Sequence, residues 1–325
     1  MIAHVVDTTN SRRERHGNCC IRDVMDGRAT PQAFVRSDAA PRAGARLVRR
    51  GAAPPAAWLA APLGLFLLVF YAYPVGAMLA RSVHPSGWSL AAYRTLVSGD
   101  VFWRVMGITL SIGATVTASC LLLALPLAYW LARMPPGRAN LLLLLVLVPF
   151  WTSVLVRSYA WMALLERHGI INNLLIWLGA LDHPVKLLNT RFAVCLAMAH
   201  VLLPFMVLPV YATLRGLDWR LVQAAESLGS TPWGTVRQVV LPLARPGIAA
   251  GAVLVFTLSV GFYITPVLVG APQDVMAAVL ISDQVGQLAW PEASAMSAVL
   301  LLLVLAVTAG LSRLLGTRAI LPGAA

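Results

Sequence analysis

One stretch of the chain carries residues whose types and spacing can do chemistry. It runs Leu221-Val222-Gln223-Ala224-Ala225-Glu226-Ser227-Leu228-Gly229, continues Ser230-Thr231-Pro232-Trp233, and closes with Val239-Val240-Leu241-Pro242. The chemistry is recognition rather than catalysis. Leu221, Ala224, Ala225 and Leu228 fall at i, i+3, i+4 and i+7, one face of a short helix. Gly229 stands where a left-handed residue ends such a helix, a conformation glycine adopts without a Cβ clash. Thr231 offers an N-cap hydroxyl to a second helix, and Pro232 fits its first position. Pro242 disfavours helical geometry at Leu241, so the second helix is predicted to end near Val240. Two alanines in the middle of the first stripe let another surface approach the backbone closely, as a helix seated in a partner's groove requires.

Catalytic constellations are missing from the sequence. A phosphate-cradling loop needs Gly-Lys followed by Ser or Thr. The single lysine, Lys186, lies between Val185 and Leu187. Any ATP that drives a process involving this chain must therefore be bound by another subunit. His168, His183 and His200 show no ligand spacing, and no Ser–His–Asp or paired-carboxylate arrangement stands out. Neither a metal, a cofactor nor an enzyme activity is expected. Cys19 and Cys20 adjoin in a polar segment, while Cys120 and Cys195 lie in apolar stretches and read as small fillers rather than ligands or a disulfide framework.

The elements that must position the loop are membrane spans. The chain is 59% hydrophobic and 12% charged, against about a quarter charged in soluble domains. The apolar excess falls in blocks long enough to cross a hydrocarbon core of about 30 Å. Six spans are predicted, near residues 56–80, 105–131, 139–164, 193–214, 246–269 and 296–315. They must be helices, because backbone groups in lipid have to be satisfied internally, and the short alternating segments of a barrel are absent. The expected fold is an all-α membrane protein with six transmembrane helices over residues 56–316, the informative loop occupying 215–245. Residues 1–55 hold ten Arg, four Asp and one Glu without periodicity and are expected to be a disordered basic cytoplasmic tail. Met25 is an alternative start, and no secretory signal is evident because the first apolar run is too long for one. Residues 317–325 form a cytoplasmic C-terminal tail.

The net charge of +12 would suggest nucleic acid in a soluble protein, but topology accounts for it here. With the N-terminus inside, eighteen of the twenty-five Lys and Arg fall on the cytoplasmic side. The loop between spans five and six has none, and holds Asp274, Asp283 and Glu292. Both termini are expected in the cytoplasm, with membrane lipid rather than nucleic acid around the chain.

The loop resembles the EAA loop of ABC importer permeases: Glu-Ala-Ala, three residues, Gly, nine residues, Ile-x-Leu-Pro. Ala224, Ala225, Gly229, Leu241 and Pro242 match, Val239 takes the Ile position, and Gln223 departs from the usual Glu. Between about residues 149 and 315 the chain is similar to permeases of spermidine/putrescine-type importers, a group that also serves opines and phosphonate-like compounds. Pro149-Phe150-Trp151-Thr152-Ser153 with Arg157, Leu203-Pro204-Phe205-Met206, and Phe262-Tyr263-Ile264-Thr265-Pro266 carry that similarity. The resemblance implies the type I ABC importer (MetI-like) permease core in the bacterial inner membrane. It implies two ABC ATPase subunits, a second permease subunit and a periplasmic solute-binding protein as partners. It also implies that residues Leu221, Gln223, Ala224, Ala225, Glu226, Leu228, Gly229, Leu241 and Pro242 belong to the ATPase-coupling loop. The solute it implies is a polyamine, with an opine, a phosphonate-like compound or an iron chelate as the alternative. A stand-alone secondary transporter would need charged relays or an inverted repeat, and neither is clear. Deleting residues 1–55, which take no part in the resemblance, is expected to leave solute uptake unchanged; loss of assembly in the truncated chain would contradict this.

Polar and aromatic groups inside spans nominate a translocation path: Trp151, Arg157, Tyr159, Phe262, Tyr263 and Thr265. Arg157 has two readings, a path or gate residue paired with Glu166 or another acid, and an arginine snorkelling to the outer interface. Phe262 and Tyr263 either stack on a cationic solute or anchor the helix at the interface, as do Trp151 and Tyr159. Asp274, Asp283 and Glu292 either form a vestibule attractive to cations or are acids that an outer loop tolerates.

Overall fold

The computed structural model describes residues 57–83 and 91–314; the expectations for residues 1–55 and 317–325 lie outside them. The chain divides into two units, Met1–Gly64 and Leu65–Ala325. The described part of the first is only the opening of a helix, and the packing and sites described below lie within the second. All described elements are helical. They are α1 (Ala57–Leu67), continued by a π turn (Leu68–Ala72), α2 (Tyr73–Val83), α3 (Ala91–Ser98), α4 (Asp100–Arg133) and α5 (Pro136–Leu147) with a 3-10 turn (Val148–Trp151). Then come α6 (Val154–Leu165), α7 (Ile170–Trp177), α8 (Arg191–Arg215), α9 (Arg220–Ser227), α10 (Pro232–Thr235) and a π turn (Val236–Val240). Last are α11 (Leu241–Val260), α12 (Ile264–Val269), α13 (Ala277–Gly286) and α14 (Trp290–Leu314).

Five stretches are long and apolar enough to cross a membrane: Pro62–Ser82, Asp100–Arg133, Arg191–Arg215, Pro232–Val260 and Trp290–Leu311. A sixth crossing is reached if the pair Pro136–Trp151 and Val154–Trp177, bent by 93°, counts as one broken span. The predicted third span is thus not a continuous helix. Pro149 brings no backbone N–H to the ladder, and Thr152 turns its hydroxyl onto the Pro149 carbonyl at 2.7 Å. Thr152 and Ser153 then take extended ψ angles of 146° and 135°.

The core is built where α4, α8 and α11 pack on one another. On α4 every fourth residue from Ile108 faces inward: Ile108, Ile112, Val116, Cys120, Ala124 and Ala128 are all buried. The row shrinks to alanine toward the C-terminal end, letting the helices close up there. They meet Met198, Leu202, Met206 and Val210 of α8. Helix α11 approaches α8 through Gly247 and Gly251, one turn apart. A Cβ on Gly247 would lie 2.6 Å from the Pro209 carbonyl oxygen, and one on Gly251 would lie 2.7 Å from the Met206 sulfur. Lipid-embedded helices gain association energy mainly from such close packing, which small residues permit.

The fifth predicted span is corrected at both ends. It starts at Pro232 rather than near 246, since α10, the π turn and α11 form one continuous apolar run, and α11 stops at Val260 rather than near 269. Pro242 does not end a helix. Leu241 keeps helical angles of −63° and −44°, and its N–H reaches the Val236 carbonyl five residues back. The wider π turn makes room for a proline ring that would otherwise meet the carbonyl of Gln238. Beyond Val260 the chain turns through residues 261–263, and α12 is a separate short helix.

Candidate functional site

The loop folds as its residues dictate. Helix α9 ends in a Schellman arrangement: the Gly229 N–H donates to the Glu226 carbonyl at 3.0 Å, and the Ser230 N–H to the Ala225 carbonyl at 3.1 Å. Gly229 has φ 86°, in the left-handed region. The Thr231 hydroxyl accepts from the Gly234 N–H at 3.1 Å, and Pro232 opens α10. Leu221 and Ala224 are exposed, Ala225 is half-buried and Leu228 is 89% exposed, so the predicted apolar stripe faces outward without a partner among the described residues. Trp233, beyond the turn, is exposed as well.

The residue that anchors α9 is Val222, 2% exposed and part of the central core. It lies one position off the stripe, so periodicity alone passes over it. Around it the loop is tied to the end of α4. The Arg133 guanidinium sits 4.8 Å from the Tyr129 ring centre and 5.5 Å from that of Trp219. Its Nη2 lies 3.8 Å from a Glu226 carboxylate oxygen, both side chains being about half exposed, where such pairs contribute about 0–1 kcal/mol. Arg215 Nη1 donates to the carbonyls of Ala132 and Met134 at 3.2 and 3.1 Å, satisfying groups that the end of α4 leaves open. A cleft of about 740 Å³ opens between these groups, with Gln223 and Glu226 on its wall. Gln223 and Glu226 are exposed, and Leu241 and Pro242 sit at the foot of α11.

The path residues divide. Trp151, Tyr159 and Tyr263 are exposed, and Tyr263 lines a cavity of about 250 Å³ that also holds Asp274 and Asp283. Phe262 is half-buried against the central core. Thr265 is fully buried, its hydroxyl 2.9 Å from that of Ser158, joining α12 to α6. Arg157 does not pair with Glu166. Among the described residues the ion pairs are Arg133–Glu226 and Arg191–Asp274. The second of these, at 2.6 Å, pairs one of the three acids between residues 270 and 295, a stretch with no basic residue of its own, with the start of α8. Sequence reasoning also passed over the pair Trp161 and His200, whose Nε1 and Nδ1 are 3.3 Å apart. They are thirty-nine positions apart in the chain and only the packing of α6 on α8 joins them.

The family described as binding-protein-dependent transport system inner membrane component matches residues 121–320, a stretch that contains the loop, α8 and α11. The chain belongs to this family. It is a permease subunit of an ABC importer, a multi-pass protein of the inner membrane. The permease is 36% identical over 229 residues to the spermidine/putrescine transport system permease protein PotB of Haemophilus influenzae, covering 70% of this chain and 75% of that protein. It is 37% identical to the inner membrane ABC transporter permease protein YdcU of Escherichia coli, over 63% of this chain and 70% of that one. In fold the permease matches a crystal structure of a bacterial alginate ABC transporter in complex with alginate pentasaccharide-bound periplasmic protein. The TM-score is 0.66 at 20% identity, over 81% of this chain and 94% of the other.

Proposed function

We propose that this permease carries a polyamine, spermidine or putrescine, across the inner membrane, driven by ATP that partner subunits hydrolyse. The observation that carries the transport mechanism is the outward apolar stripe of α9, held on a capped turn, with Val222 set into the central core and Glu226 beside Arg133 of α4. A rigid, exposed, small-residue helix on a fixed base suits insertion into a groove of an ATPase. Two ATPase subunits, a second permease subunit and a solute-binding protein on the outer side complete the assembly. Both termini and the loop face the cytoplasm, in keeping with the distribution of Arg. ATP binding moves the ATPase halves, and α9 transmits that motion to α4 and α8. The spans then exchange outward-open and inward-open arrangements, which ATP biases through different contacts in the two states.

The substrate assignment draws on relatives named for spermidine and putrescine transport. Trp151, Tyr159 and Tyr263 supply ring faces that suit ammonium groups. An anionic solute, an opine or a phosphonate-like compound, is the second reading, favoured by Arg157, which has no acid beside it among the described residues. Reconstituting the complex with its binding protein in proteoliposomes separates the two. Spermidine or putrescine is expected to stimulate ATP hydrolysis at least several-fold; stimulation by an opine or phosphonate alone would replace the polyamine, and failure to assemble with any ATPase would remove the importer mechanism.

A further inference from the structure

Arg157 is the single charged residue between Arg138 and Glu166, on the first turns of α6 just past the break in the third crossing. Its Nε is buried and has no hydrogen-bond acceptor. The two ion pairs among the described residues do not involve it. One turn further along the same face of α6, Trp161 meets His200 of α8. His200 cannot serve as the acceptor, because its Nδ1 takes the indole N–H of Trp161 at 3.3 Å. That bond leaves the ring proton on Nε2, so histidine and arginine both present donors.

The surroundings say what kind of group is missing. Helix α8 is the most enclosed of the spans, yet His200 on it is exposed. An exposed polar residue on a central helix marks a side of the bundle that lacks a wall, and acyl chains offer no acceptor to it. Ionisable groups inside spans are held by an opposite charge or by water-filled space. A transient solute would leave the guanidinium unpaired for most of the cycle, and a cationic one would be repelled by it.

We infer that Arg157 is neutralised by a carboxylate on a span of the second permease subunit, across the open side between α6 and α8. The inference rests on the assembly proposed above. The carboxylate ties the two membrane subunits together beside the path and removes the positive charge that a polyamine would otherwise meet.

The test uses the whole complex, with a tag on this chain, measuring recovery of the second subunit and solute uptake. Arg157→Glu is expected to lower both at least tenfold at unchanged membrane content of this chain, and Arg157→Lys to keep recovery within about threefold. Changing one Asp or Glu within the spans of the second subunit to Arg is expected to restore recovery and uptake in the Arg157→Glu background. Where that variant fails to accumulate, Arg157→Gln gives the same comparison. Recovery and uptake within twofold of wild type in the charge-reversed chain would overturn the inference in favour of lipid phosphate or water. Lost uptake with full recovery, restored by no carboxylate reversal, would overturn it in favour of a direct contact with solute. Failure of the wild-type chain to recover any second subunit is a different result, and would overturn the assembly itself.

Discussion

Gly229→Val is expected to reduce solute-stimulated ATP hydrolysis and uptake by about tenfold or more, with the chain still present in the membrane at its normal level. A side chain at this position would meet no atom within 4 Å, so steric collision is not the cause. The cause is the backbone: φ is 86°, and an L-residue pays about 1–2 kcal/mol for left-handed geometry, while about 1.4 kcal/mol corresponds to a factor of ten in an equilibrium. The N–H of Gly229 and that of Ser230 close the end of α9 onto Glu226 and Ala225. If φ moves to a negative value, both bonds break and the chain leaves α9 in another direction. Leu228 and Trp233, exposed on either side of the turn, then no longer present one surface to an ATPase. Asparagine visits the left-handed region far more readily than valine, so Gly229→Asn is expected to retain most of the coupling and Gly229→Asp to fall between. Equal, full coupling in the valine variant would sink the docking role of this turn.

The second large effect is on the fold. Gly247→Leu is expected to remove folded permease from the membrane, and even Gly247→Ala to destabilise it by about 1–3 kcal/mol, the usual range for overpacking. The new Cβ would meet the Thr213 hydroxyl and lie 2.6 Å from the Pro209 carbonyl oxygen. One of these groups is backbone and the other is held there, since the Thr213 hydroxyl donates to that same carbonyl at 3.0 Å. Neither can swing away, so α8 and α11 must separate. Gly251→Ala is expected to be milder, because the nearest atom is the sulfur of a flexible methionine. Gly107→Ala on α4, where nothing lies within 4 Å, is the control and is expected to be neutral or to stabilise by up to about 1 kcal/mol through helix propensity. Thermal midpoints of the four purified chains in detergent give the order. A midpoint for Gly247→Ala equal to that of wild type would contradict the close approach of α8 and α11.

Much of this molecule is decided by local rules. The apolar blocks mark the crossings because lipid leaves the backbone no other partner. The turn of the loop follows from Gly229, Thr231 and Pro232, whose conformational preferences act within a few residues and survive into the fold unchanged. The spacing of Ala224, Ala225 and Gly229 is enough to place a short helix and its end in the chain. The prolines show where local rules stop. Pro242 predicts an end to the helix, but the apolar face of α11 gains enough from packing on α8 that the chain absorbs the ring in a π turn instead. Pro149, with fewer neighbours around α5, does break its span. The outcome at each proline is set by the packing around it, which composition does not contain.

By itself the sequence determined the all-helical membrane class and the capped turn of the loop, because hydropathy, glycine torsion and capping are properties of short segments; the family was legible through the resemblance of motifs such as Ala224, Ala225 and Gly229. Only the tertiary structure decided that Val222 anchors the loop and that Thr265 is a buried strut to Ser158. It also decided that Asp274 pairs with Arg191 and that, among the described residues, Arg157 has no acid in ion-pair reach. Each of these joins residues on different helices, and how α4, α6, α8 and α11 fit together depends on close contacts between their small residues that no periodicity along one segment can express.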